Sequence, residues 1–276
     1  MPRCFNTAGS CQADIHYMLP PITRLPDVER LIHQRNYFVI HAPRQTSKST
    51  AMLALAQQLT ESGRYTAIML SVAVGASFSH DPERAEAAIL SSWHRVAQVY
   101  LPPELRPPAE IPTVVGQGIE ETLRQWAEAS PRPLVVFIDE IDSLQDEMLL
   151  SVLCQLRSGF PSRPRAFPHC VGLIGLRDVW DDKVASGESG RLKAVSSFNI
   201  KAESLTLHNF TAQELAELCS QHTAETGQVF TPESLQRIYA LTQGQPWWVN
   251  AIAHHLTKFI APDPAIALTI NHMERA

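Results

Sequence analysis

The sequence predicts an α/β fold, a doubly wound core on a parallel sheet followed by a small all-α subdomain, and three observations carry that expectation. Near-continuous apolar runs alternate with helical stretches as far as residue 208, the pattern of strands buried on both faces. From Asn209 onward only helical signals remain. Hydrophobic residues make up 45% of the 276, enough for a sizeable core and too many for a disordered chain.

Taken in order, residues 1–26 are irregular, and Asp27 is placed to cap a first helix over 28–34. The β-branched and aromatic run at 36–40 predicts a first strand. An Ala/Leu-rich helix over 50–62 stops at Gly63, and a second strand follows at 65–72. Apolar spacing from Pro82 to Tyr100 predicts a long helix, after which Pro102, Pro103, Pro107, Pro108 and Pro112 mark a surface connection that cannot continue it. A helix over 118–129 leads past Pro131 and Pro133 into a third strand at 134–138. The pattern then repeats as helix 147–157, a proline-rich loop at 161–168, strand 170–176 and strand 204–208. Three helices close the chain: 211–226 with Thr211 and Glu214 as a capping box, 232–242 with Pro232 at its first position, and 247–259. These boundaries give a core at 1–208, of which 1–35 is an N-terminal arm and first helix, and a lid at 209–276.

Charged residues are only 18% and the net charge is −5, which argues against direct nucleic-acid binding through a broadly basic surface. The five cysteines are odd in number and scattered, without C-x-x-C or zinc-ligand spacing, and read as reduced thiols. No secretory leader is visible, and the apolar runs fall short of the roughly 18 residues of a membrane span. A cytoplasmic protein with no membrane partner is the expectation. The twenty prolines, which in bulk would suggest disorder, fall mostly in the connections.

Two motifs carry chemistry. After the first strand, Lys48 and Ser49 stand at the head of a helix, where a phosphate-binding loop (Walker A) needs a lysine for the β- and γ-phosphates and a hydroxyl for Mg²⁺. The glycines of G-x-x-x-x-G-K-[ST] are replaced by Ala42 and Ser47, and a side chain at the second adds bulk where the ligand should rest. An ordinary strand-to-helix turn capped by Ser49 or Thr50 is the competing reading. The second motif, Val135-Val-Phe-Ile-Asp139-Glu140, has the shape of a Walker B strand, with Asp139 placed for the Mg²⁺ water shell and Glu140 to polarise an attacking water. Arg163, Arg165 and Arg191 lie in loops from which an arginine reaches a neighbouring subunit in some ATPases, a weak signal here. The adjacent Trp247 and Trp248 read first as packing residues rather than a stacking platform.

Ala42-Pro-Arg-Gln-Thr-Ser-Lys-Ser-Thr50 resembles the A-P-R-Q-T-G-K-T-T loop of bacterial AAA-like ATPases, relatives of the archaeal ATPase and STAND classes of P-loop NTPase. Phe5-Asn-Thr-Ala-Gly9 and Tyr17-Met-Leu-Pro-Pro21 resemble the N-terminal segment of that group, so the resemblance spans essentially the whole chain. It implies a P-loop NTPase core with a helical lid, binding ATP with Mg²⁺. The nucleotide-binding residues it implies are Ala42, Pro43, Arg44, Gln45, Thr46, Ser47, Lys48, Ser49 and Thr50, with Ser49 and Asp139 toward the metal. It further implies that Arg177 senses the γ-phosphate and that the Gly244-Gln-Pro246 turn packs against the adenine, with Pro246 in contact.

The leading expectation is therefore an ATP-binding, Mg²⁺-dependent ATPase acting as a conformational switch, with a homo-oligomer or a protein client as partner. The alternative is a degenerate pseudo-ATPase, an interaction module in which Ser47 weakens nucleotide binding. A DNA-associated ATPase acting with a partner ranks third, because Ala276 follows the lid too soon for a further DNA-binding domain.

Overall fold

A computed structural model describes residues 3–9, 11–20, 24–25, 27–41, 46–78, 80–109, 114–175 and 201–273. The chain forms two compact units, one comprising Leu25–Pro43 and Met52–Thr206, the other Met1–Arg24, Arg44–Ala51 and Leu207–Ala276. Among the described residues no helix is long and apolar enough to cross a membrane.

The first unit is built on a five-stranded sheet of β1 (Tyr37–His41), β2 (Thr66–Ser71), β3 (Leu134–Asp139), β4 (Cys170–Gly175) and β5 (Lys201–Thr206). Its order is β2-β3-β4-β1-β5, and every pairing is parallel. Every residue of β3 and β4 is buried, as expected for strands covered on both faces, and their apolar runs made them readable from sequence. Gly172 in β4 sits where a Cβ would lie 2.8 Å from the Phe38 ring and 2.9 Å from that of Phe137, so the sheet needs glycine there. The helices are α1 (Val28–His33), α2 (Lys48–Glu61), α3 (Pro82–Tyr100), α4 (Gly118–Ala129) and α5 (Asp146–Gly159). α2 opens in the helical unit and continues in this one.

α3 and α4 run as the sequence predicts. Asp81 caps α3 by accepting from the Arg84 N–H at 3.1 Å, ahead of Pro82 at its first position. α4 has no cap of its own; Glu86 of α3 accepts from the backbone N–H groups of Gly116 and Ile119, and Gln155 of α5 accepts from that of Glu120. Gln155 also donates to Glu86 at 2.7 Å, so the orphan donors of one helix are satisfied by side chains of its two neighbours. Short 3-10 turns at Ala73–Phe78, Pro103–Leu105, Ile141–Ser143 and Phe160–Ser162 were not evident from periodicity, which a single turn is too short to display.

The second unit contains α6 (Ala212–Thr226), α7 (Pro232–Thr242), α8 (Pro246–His255) with a π-helical turn Leu256–Ile260, and α9 (Ile270–Met273). The predicted capping box is present: Thr211 accepts from the Glu214 N–H, and Glu214 accepts from the Thr211 N–H. The described residues of the N-terminal arm, among them Arg3, Phe5 and Tyr17, pack into this unit, whereas the sequence reading counted them with the core. The Phe5 ring is tilted against that of Tyr17 with centroids 4.9 Å apart and meets Phe230 edge-on at 6.1 Å, and Arg3 pairs with Glu225 at 2.6 Å. The arm has too few residues to bury its own aromatics and completes the apolar cluster around Leu215, Ile238 and Val249 instead.

The last predicted strand shifts. It runs Lys201–Thr206 rather than 204–208, fixed by its ladder to β1 from Tyr37–Lys201 to His41–Thr206. β4 is described to Gly175, and Leu176 lies outside the described residues.

Candidate functional site

β1 and β3 both flank β4 and run parallel to it, so their carboxyl ends, His41 and Asp139, open on the same edge of the sheet. In open α/β sheets that edge is where ligands bind. The chain leaves β1 and reaches Thr46, which is buried, and then Ser47, whose carbonyl accepts the Ala51 N–H at 2.9 Å. Ser47 is therefore the residue that opens α2, and the helix begins at Lys48, two positions earlier than its apolar pattern predicts. This places Lys48 and Ser49 in the first turn, the end of a helix whose N–H direction and dipole favour anions.

Ser47 has φ of +63°, the left-handed region that glycine enters without strain. The sequence comparison with a phosphate loop pointed to missing glycine at this position for reasons of bulk; the backbone adds a conformational reason. Ala42, Pro43, Arg44 and Gln45 lie outside the described residues, as do Arg177 and Arg191.

Residues that the sequence reading missed hold the loop. Arg24, 8% exposed, donates from its guanidinium to the Thr46 carbonyl at 3.2 Å and from Nε to the His208 carbonyl at 3.1 Å, with its plane 4.9 Å from the Phe210 ring. Burial draws its pKa down to about 10, still well above neutrality, so the group is a cation at pH 7. Thr50 Oγ1 accepts from the Cys11 N–H at 3.2 Å, tying the N-terminal arm to the first turn of α2. No local pattern announces an arginine whose acceptors lie far along the chain.

At the end of β3, Asp139 is buried and its Oδ1 accepts from the Glu140 N–H at 2.9 Å. Glu140 is exposed and has φ of +60°, a second strained residue in a position expected to act on water. Ser71, at the end of β2 and opposite Asp139 in the ladder, donates its hydroxyl to Glu140 Oε2 at 2.7 Å. That contact fixes the glutamate carboxylate and was invisible in the sequence, because strand register decides which β2 residue meets it.

The lid turn is specified by backbone geometry. Gly244 has φ of +71°, and a Cβ there would lie 1.8 Å from the Phe210 carbonyl oxygen, while the Phe210 N–H donates to the Gly244 carbonyl at 2.8 Å. Pro246 follows as the buried first residue of α8, and Gln245 caps that helix through the Trp248 N–H at 2.8 Å. Trp247 is half-buried and donates its indole N–H to the Thr7 carbonyl at 3.0 Å, whereas Trp248 is 52% exposed. Arg163 is occupied elsewhere: its guanidinium lies 3.4 Å from the Phe160 ring centre and 4.9 Å from that of Tyr37, a packing role rather than a reach toward another subunit.

The Ser49 hydroxyl and, in the other unit, the buried Asp139 carboxylate are each hard oxygen donors of the kind that suit Mg²⁺, which takes one or two protein ligands together with phosphates and water. Among the described residues, no group of three or more His, Cys, Asp or Glu side chains converges into an all-protein metal site.

No protein-family model matches the sequence, and no curated protein sequence does so at a significant level. Solved structures do match. A Walker-type ATPase of Pyrococcus abyssi aligns over 98% of this chain and 74% of its own with a TM-score of 0.61 at 12% identity. The chain shares the fold of this Walker-type ATPase. The Aeropyrum pernix Orc2 protein, solved in ADPNP and ADP complexes, aligns with this fold over 91% of this chain and 64% of its own (TM-score 0.56, 14% identity). The RuvB Holliday-junction branch-migration motor of Thermotoga maritima does so over 92% and 65% (TM-score 0.51, 14% identity). The chain thus spans about two thirds to three quarters of these proteins. Proteins described as acting on DNA share this fold, which goes against the expectation, drawn from net charge, that nucleic acid is an improbable partner.

Proposed function

We propose that the protein binds ATP with Mg²⁺ and hydrolyses it, using the cycle as a conformational switch. The observation that carries this reading is a fully buried strand that ends in Asp139 and Glu140 at the sheet edge where β1 also ends, in a chain whose next helix after β1 opens on Lys48 and Ser49. In this reading Lys48 and the first-turn N–H groups of α2 hold the phosphates. Ser49 and Asp139 would hold Mg²⁺, which would neutralise phosphate charge. Glu140 orients the attacking water, and Ser71 sets the direction of its carboxylate. Release of the γ-phosphate then frees contacts it had ordered, which is how such cycles move protein segments. A homo-oligomer or a protein client remains the partner this cycle would act on, in the cytoplasm.

A second reading, a pseudo-ATPase, is favoured by one observation, the strained serine at 47. Two measurements separate them. Calorimetric titration with Mg·ATP should give saturable binding, and steady-state phosphate release should be lost in Glu140→Gln by about 100-fold or more with binding retained. Binding without turnover, or no binding at all, in the parent chain overturns the ATPase switch and selects the pseudo-ATPase module.

A further inference from the structure

A cavity of about 580 Å³ lies at the free edge of the sheet, within the size range of pockets that take specific ligands. Leu53, Ala56 and Gln57 of α2 line one side. Val99, Tyr100 and Leu105, at and beyond the end of α3, line the other, with Ile68 and Met69 of β2 between them. The Ile68 side chain joins α3 in the core on one face of the sheet, so that of Met69 points to the opposite face. A cavity lined from both faces at an outermost strand passes around the edge of that strand. The ladder decides which backbone groups stand there. Thr66 donates its N–H to the Pro133 carbonyl and Val72 to that of Asp139, so Thr66, Ile68, Leu70 and Val72 bond to β3 while Ala67, Met69 and Ser71 face away. Thr60 Oγ1 accepts from the Ala67 N–H at 2.9 Å and donates to its carbonyl at 3.0 Å, and the Trp93 indole N–H donates to the Ser71 carbonyl at 2.9 Å. Met69 alone of the three keeps both its N–H and its carbonyl without a partner among the described residues.

We propose that this groove docks an extended segment of a partner protein, one residue of which pairs antiparallel with Met69 while an acidic side chain two positions later meets Arg132. A residue opposite Met69 exchanges both hydrogen bonds by itself, and Thr60 and Trp93 stop the added strand from running on in either direction. Strand addition of this kind draws affinity from the main chain and selectivity from pockets for alternate side chains. Here those pockets are apolar: Val99 is 75% exposed and Tyr100 56%, leaving large apolar surface on the rim. The charge is that of Arg132, a half-buried residue that donates to the Thr60 carbonyl at 3.2 Å and forms no ion pair among the described residues. Thr60 also holds Ala67, which places Arg132 beside the position two residues along an antiparallel segment. Glu61, on the exposed rim, keeps its carboxylate on Gln57 Nε2 at 2.9 Å. The groove flanks the middle of β2 and the end of α3 rather than the strand ends where Asp139 lies, so the inference stands apart from the nucleotide reading.

The probe is a fluorescein-labelled Leu-Val-Leu-Glu amide, titrated with the full chain and read by fluorescence anisotropy. Saturable binding with a dissociation constant below about 1 mM is expected. Methylating the valine nitrogen removes the donor that faces the Met69 carbonyl and should weaken binding about tenfold. Glutamine in place of the peptide's glutamate should weaken binding about threefold in the parent chain and leave it unchanged in Arg132→Gln. Val99→Glu places a charge on the rim at an exposed helical position, and should weaken the unmodified peptide about tenfold or more with the unfolding midpoint unchanged. No saturation by about 1 mM overturns the proposal, as does full binding to Val99→Glu. Equal binding of the methylated peptide overturns it too and assigns the cavity to a small apolar molecule. A chain that sediments as a dimer and takes the peptide only once dissociated assigns the edge to a second copy, against the proposal. The peptide comparison in the parent chain stands without either variant.

Discussion

At position 47 two costs oppose each other. A non-glycine residue in the left-handed region carries about 1–2 kcal/mol of strain, and glycine in its place adds up to about 1 kcal/mol of chain entropy to the unfolded state. Ser47→Gly should therefore leave stability within about 1 kcal/mol of the parent. Its effect belongs in binding, where removing the hydroxymethyl group lets phosphate approach the backbone. Mg·ATP affinity should rise about tenfold by calorimetry; an unchanged affinity would show that the serine strains the loop without obstructing it. Gly244 obeys the same backbone logic with the opposite outcome, since its neighbour is the Phe210 carbonyl and not a movable side chain. The four residues that suggest nucleotide chemistry, Lys48, Ser49, Asp139 and Glu140, were readable because each sits at the end of a regular element. Arg24 and Ser71 were not, because their meaning comes from partners on other elements.

Among the elements, α4 depends most visibly on its neighbours. Its first N–H groups are received by Glu86 of α3 and Gln155 of α5, with Gly118 close enough to Glu86 that a Cβ would stand 3.1 Å from that carboxylate. Glu86→Ala would strand the buried Ile119 N–H and the Gln155 amide, at about 1 kcal/mol or more apiece, while the exposed Gly116 N–H turns to water. A loss of roughly 2 kcal/mol in denaturant unfolding is expected. A loss under about 1 kcal/mol would mean that water reaches those donors. The sequence supplied the length of α4 and its apolar stripe, and gave no sign of its cap, since a cap borrowed from residues far along the chain leaves no mark beside the helix.

For the whole molecule, acid sensitivity is set by histidines buried in both units. His222 lies between Tyr17 and Gln228: Gln228 Nε2 donates to the Ala261 carbonyl, so its oxygen faces His222 Nε2 at 3.0 Å and the neutral ring donates there. Burial lowers the pKa of His222, and likewise of His169, which is held by the Ile32 carbonyl at 2.9 Å. With the folded values below the ordinary 6.5, the unfolded chain binds more protons in the window between them. Their contribution is fully present above pH 6.5 and is lost as pH falls through that window. The melting temperature should drop between pH 7.5 and 5.5, and His222→Gln should flatten the slope; an identical slope in the variant would place the proton uptake elsewhere. Glu225 and Glu121, held low by Arg3 and Arg124, act only in a lower window, beneath pH 4.5.

The sequence by itself determined the kinds of element and most of their boundaries, along with the placing of a lysine–serine pair and an acidic pair at element ends. Those are local matters: apolar periodicity records which face is buried, and capping and turn residues act within a few positions. Only the tertiary structure decided the strand order β2-β3-β4-β1-β5, the helical unit's claim on the N-terminal arm, and the long-range contacts of Arg24, Ser71 and Glu86. The physical reason is that pairing between distant segments depends on complementary shape and unsatisfied polar groups in three dimensions, and neither has a period along the chain.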